Sequence, residues 1–126
     1  MFLLDTHTLL WFLNDDPKLP ETTKELIGTS PDTYVSIASF WEIAIKNSIG
    51  KLELRDSITR IMEICEEKQI FILPIKAIHL ERLKALPSIH RDPFDRLLIC
   101  QAAAENMTLI SVDGNLVKYD IRVVWA

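Results

Sequence analysis

Apolar positions along the chain follow two rhythms. Phe2–Leu4, Thr33–Ser36, Ile70–Leu73, Leu109–Val112 and Arg122–Trp125 are short runs in which apolar residues occupy both sides of an extended chain. Such runs predict strands buried on two faces. Between them the apolar residues recur at helical spacing. Thr8–Asn14 predicts a helix stopped by Asp15-Asp16-Pro17, and Pro20–Ile27 a second, ended by Gly28. Ser39–Ser48 predicts a third that stops near Gly50, the usual place for a left-handed cap. Asp56–Lys68 puts Ile58, Ile61, Met62, Ile64 and Cys65 on one stripe. Lys76–Lys84, halted before Pro87, and Pro93–Glu105 complete the set. Strand and helix alternate throughout, which predicts an α/β fold: a central, mostly parallel sheet of four to five strands flanked by helices in three layers.

Composition sharpens this picture. A chain of 126 residues, 48% hydrophobic and 25% charged, fits one globular domain spanning 1–126. No apolar run reaches the ~20 residues of a membrane span. The N-terminus lacks a basic region and Asp5 breaks the apolar start, so no secretory signal is expected and the cytoplasm is the expected location. Cys65 and Cys100 lie in helical patterns without CxxC spacing, and two buried free thiols are expected. A net charge of −4 argues against gripping nucleic acid by bulk charge, although it leaves a nucleic-acid enzyme open.

Asp5, Glu42, Asp95 and Asp113 each follow or interrupt an apolar stretch. Asp5 and Asp113 come directly after predicted strands, while Glu42 and Asp95 lie near the starts of predicted helices. In a parallel sheet both positions open at the rim beyond the carboxyl ends of the strands. Gathered carboxylates repel unless a cation sits among them, and an all-oxygen set suits Mg²⁺ or Mn²⁺. That points to metal-dependent chemistry on phosphate esters. Local explanations compete with it. Ser39-Phe40-Trp41-Glu42 fits a capping box, Asp5 fits a helix N-cap, and Asp113-Gly114-Asn115 fits a turn. Asp92 reads as an N-cap before Pro93, and Asp95 as a first-turn charge that complements the helix dipole.

Other constellations are thin. His7, His79 and His90 are widely spaced and read as structural or surface imidazoles. Three glycines build neither a P-loop nor a GxGxxG turn, and no Gly-x-Ser-x-Gly elbow occurs. Lys46, Arg91 and Arg96 lie near the acids, either pairing with carboxylates or touching substrate phosphates. A receiver domain needs paired acids after its first strand, and a haloacid-dehalogenase-type phosphatase needs Asp-x-Asp. This chain has Asp5-Thr6-His7.

FLLDTHTLLW, SIASFWE, HRDPFDRLLICQA and LISVD together resemble PIN-domain proteins, and among them the VapC-type toxins of bacterial toxin–antitoxin pairs. The resemblance runs from Phe2 to about Trp125. It implies a PIN-like three-layer sandwich and an endoribonuclease that depends on Mg²⁺ or Mn²⁺. Asp5, Glu42, Asp95 and Asp113 match the family's catalytic and metal-holding quartet. Thr6 and Ser36 match supporting hydroxyls. Asn115 stands where many relatives carry a further acid, which implies a weaker second metal. The expected partners are an RNA substrate, a cognate antitoxin and a second copy of the chain, with Leu9–Leu13 offering apolar surface for a groove or dimer seam. Asp5→Asn is expected to abolish cleavage at little cost in stability. A catalytically idle PIN fold, or a flavodoxin-like interaction or regulatory domain, is the alternative.

Overall fold

The computed structural model describes residues 1–87, 92–112, 119 and 121–125. Within it the chain runs β1 (Phe2–Leu4), α1 (Thr6–Leu13), α2 (Glu21–Thr29), β2 (Thr33–Ser36), α3 (Ile37–Ser48), α4 (Ile58–Glu67) and β3 (Ile70–Leu73). It continues through α5 (Ala77–Ala85), α6 (Pro93–Ala104), β4 (Thr108–Ser111) and β5 (Val123–Trp125). The five strands form one sheet in the order β3-β2-β1-β4-β5, every neighbouring pair parallel. The sheet is therefore wholly parallel, at the upper end of the expected strand count.

Alternation along each strand divides the core in two. Leu4, Val35, Ile70 and Ile110 point to one face, where Leu9, Ile27, Phe40, Ile43, Ile61 and Cys65 from α1 to α4 cover them. Leu3, Leu73 and Leu109 point to the other face, under Leu98, Ile99 and Ala102 of α6. Strands enclosed this way carry apolar residues at consecutive positions, which explains the unbroken runs. Cys65 and Cys100 are buried free thiols, and burial pushes the Cys65 thiol up to about 11. Leu9 is fully buried, while Leu10, Trp11, Phe12 and Leu13 are half-buried and pack on the first cluster, so most of that stretch belongs to the core.

Several boundaries depart from expectation for local reasons. Helix α2 runs through Gly28 to Thr29. It stops because Ser30, placed before Pro31, is forced into an extended conformation (ψ 131°). Helix α3 starts at Ile37 because Ser36, the last residue of β2, is itself the N-cap and accepts from the Ala38 amide. Gly50 takes the left-handed cap after α3 (φ 73°) as expected. Gln69 and Asn106 do the same without glycine after α4 and α6 (φ 61° and 54°). Away from the sheet rim, fully buried His79 ties α5 to the end of α6. Its Nδ1 accepts from the Lys76 amide at 3.0 Å, so its Nε2–H faces Glu105 Oε2 at 2.9 Å.

Candidate active site

Strand order sets the location of the cleft. The chain steps from β1 to β2 and β3 on one side, then crosses to β4 on the other, so the order of strand addition reverses between β1 and β4. Beyond the carboxyl ends of the strands, such a reversal leaves a crevice. Asp5 follows β1 there, and one hydrogen bond spans the reversal: Ser111 Oγ, at the end of β4, donates to Asp5 Oδ2 at 2.6 Å. The Val112 amide donates to the same oxygen at 3.3 Å, and the Thr8 amide to Oδ1 at 2.8 Å. Asp5 is thus the N-cap of α1 and also a carboxylate fixed at the head of the sheet. Capping and a place in the cleft do not exclude each other.

Glu42 is different. Since α3 begins at Ile37, Glu42 lies beyond the first turn and takes no part in a capping box. Only 4% exposed, its carboxylate turns toward α1 instead. Thr6 Oγ1 donates to Oε1 at 2.6 Å, and Lys46 Nζ donates to Oε2 at 2.6 Å. The Ser39 hydroxyl lies 3.0 Å from that of Thr6. A hydroxyl has one proton, and here the short bond to the carboxylate takes it. Ser39 therefore buttresses Thr6 rather than capping the helix.

Helix α6 supplies the third wall. Asp92 caps it, accepting from the Phe94 and Asp95 amides at 2.8 and 3.2 Å, with Pro93 at the first position. Asp95 follows in the first turn. Asp5, Thr6, His7, Glu42, Lys46, Asp92, Asp95 and Val112 line one cleft of about 140 Å³. The structure brings Asp5, Glu42 and Asp95 together. Asp113, Arg91 and Asn115 lie outside the described residues. Ser36 contributes through the backbone of α3, and Arg96 does not line the cleft. Exposed His7 stands at the mouth beside Trp11 (ring centroids 6.3 Å apart).

Among the described residues, the cleft already contains a cation, Lys46. The bond to Glu42 raises the Lys46 pKa above its ordinary value, against the opposing effect of burial, and the charges of Glu42, Asp92 and Asp95 raise it further. Among the described residues, no three His, Cys, Asp or Glu side chains are arranged to cage a metal ion. Mg²⁺ seldom needs such a cage, since it keeps several waters and binds through one or two carboxylates plus substrate phosphate. Donors among the described residues take three of about four lone-pair positions of the Asp5 carboxylate, one short of the full set. The carboxylates of Asp5, Glu42, Asp92 and Asp95 in the lining offer the oxygen donors that a hard divalent ion prefers. Sequence reasoning passed over Ser111 and mistook Ser39 for a cap. The signal for Ser111 was a lone hydroxyl ending an otherwise apolar run.

A family model described as PIN domain matches residues 2–122, and the chain belongs to that family. No curated protein matches it. Solved structures share its fold at low identity. VapBC2 from Rickettsia felis, bound to a DNA fragment from their promoter, superposes with a TM-score of 0.71 at 16% identity, covering 98% of this chain and 97% of that one. A toxin–antitoxin complex from Klebsiella pneumoniae gives 0.68 at 18% identity, covering 98% and 96%. FitAcB from Neisseria gonorrhoeae gives 0.66 at 18%, again covering 98% and 96%.

Proposed function

We propose that this PIN domain is a Mg²⁺- or Mn²⁺-dependent endoribonuclease of the VapC type, the toxin of a type II toxin–antitoxin pair acting in the cytoplasm. One observation carries the reading: Asp5 at the β1–α1 junction, Glu42 of α3 and Asp95 of α6 line one cleft at the point where the strand order reverses. The fold neighbours, which come from toxin–antitoxin assemblies, support the toxin assignment.

Asp5 and Asp113 would hold the divalent ion, with Glu42 and Asp95 completing the set. When bound, such an ion supplies Lewis acidity toward a phosphodiester and lowers the pKa of the attacking water. The protein's part is positioning. Three donors fix the Asp5 carboxylate, Thr6 and Lys46 fix Glu42, and Asp92 sets the start of the helix that carries Asp95. Asp95 or Glu42 orients the water.

An antitoxin and a second copy of the chain are the proposed protein partners. Trp41, Ile45 and Ile49 form an exposed apolar stripe at four-residue spacing along α3, the helix that carries Glu42. Such a stripe suits a protein partner. The test is RNA cleavage by the purified protein with Mg²⁺, with EDTA, and in Asp5→Asn. Cleavage with Mg²⁺ alone is expected, with loss in the other two. An Asp5→Asn protein that cuts at the parent rate refutes the site, and no metal-dependent cutting by the parent favours a catalytically idle PIN fold.

A further inference from the structure

The two buried acids of the cleft are neutralised in different ways. Among the described residues, the three donors to Asp5 are neutral: two backbone amides and one hydroxyl. They orient its charge without cancelling it. Glu42 instead has an ammonium on Oε2 and a hydroxyl on Oε1. Lys46 follows Glu42 by one helical turn in the favourable Glu-to-Lys direction, and its side chain is 36% exposed against 6% for Glu42. An ammonium 2.6 Å from Oε2 takes one of that oxygen's two lone-pair directions. A divalent ion on the other would be repelled by the ammonium beside it. Asp92 and Asp95, which share the cleft from α6, also act on this ammonium. Lys46 therefore lies under the influence of acids from both α3 and α6, where a second divalent ion would have to sit.

We propose that Lys46 is a built-in countercharge that replaces a second divalent ion on the Glu42 side of the cleft, so that each chain binds one such ion, on the Asp5 side. This rests on the nuclease reading and deepens it. Lys46 acts by holding Glu42 and is a positioning residue. The consequence is a fixed metal count: the +1 charge of the ammonium comes with the fold and does not depend on the free metal concentration.

The test is a Mn²⁺ titration of the full chain, followed by calorimetry and by the electron paramagnetic resonance signal of the free ion. The parent is expected to bind one Mn²⁺ per chain, Lys46→Gln two, and Lys46→Arg one, because arginine keeps the charge. Thermal unfolding in EDTA verifies that each variant is folded. Two ions in the parent overturn the proposal whatever the variants do. A single ion in folded Lys46→Gln, or two in Lys46→Arg, also overturns it. If Asp5→Asn loses RNA cleavage while Lys46→Gln keeps one ion, the nuclease reading stands and only the countercharge falls. A parent that binds no Mn²⁺ removes both.

Discussion

Thr6→Val isolates the contact that holds Glu42. Valine keeps the shape of threonine while removing the hydroxyl that donates to Oε1 at 2.6 Å. The carboxylate is almost fully buried, so water cannot take over without opening the α1–α3 contact. A hydrogen bond to a charged group contributes about 1.5–3 kcal/mol, and the Ser39 hydroxyl loses its neighbour as well. With ~1–3 kcal/mol per molar as the urea slope, the unfolding midpoint is expected to fall by roughly 1 M. Unfolding is best followed in EDTA so that no ion compensates. Repeating the substitution in Glu42→Gln tests the cause. A neutral acceptor bond contributes only about 0.5–1.5 kcal/mol, so the cost of losing Thr6 should drop by around half. A loss below ~0.5 kcal/mol for Thr6→Val, or equal losses in both backgrounds, would refute the argument.

Two further outcomes follow from features away from the cleft. The His79 N–H holds Glu105 below its ordinary value of 4.5, with Lys76 adding to the effect and desolvation opposing it. A depressed carboxyl contributes stability that is present above pH 4.5 and is lost as pH falls through the lower folded value. Glu105→Gln should therefore flatten the acid limb of a Tm-against-pH curve below that point, and an unchanged limb refutes the role of the pair. Gln69 closes α4 in the left-handed region, where a side chain is strained. Gln69→Gly is expected to stabilise the protein by about 0.5–1 kcal/mol in urea denaturation, and a loss would show that the glutamine side chain compensates for the strain.

The strands were legible almost residue by residue. Phe2–Leu4, Thr33–Ser36 and Ile70–Leu73 coincide with the runs read from the chain, because burial on both faces leaves an unbroken apolar signature. Helix starts were less legible, since the choice of cap depends on partners distant in sequence. Asp5 starts α1 two residues earlier than the apolar rhythm suggests, and the same carboxylate is bonded to Ser111, 106 residues away. At α3 the Ser39–Glu42 spacing matched a capping box, yet Ser36 had already ended the strand and begun the helix. The convergence of Asp5, Glu42 and Asp95 was legible from topology alone, because a parallel sheet sends every strand end to one rim. The four-residue spacing of Glu42 and Lys46 left two readings open, an ion pair or a phosphate contact, and the structure shows the pair. The correction matters for Asp5→Asn too. With donors on both oxygens of Asp5, the amide must lose at least one backbone N–H contact, that of Thr8 or that of Val112, so some loss of stability is expected beside the proposed loss of cleavage.

Ser36 and Asp5 are each the point where extended chain turns directly into helix, with no connecting loop. Glu42 and Asp5 therefore ride on stiff supports whose ordering entropy is settled when the domain folds. Stiffness at these two junctions also removes a means of control. Moving either carboxylate out of register would mean unwinding the first turn of α1 or α3. At these two acids, the proposed site is easier to close by plugging the opening than by bending the frame.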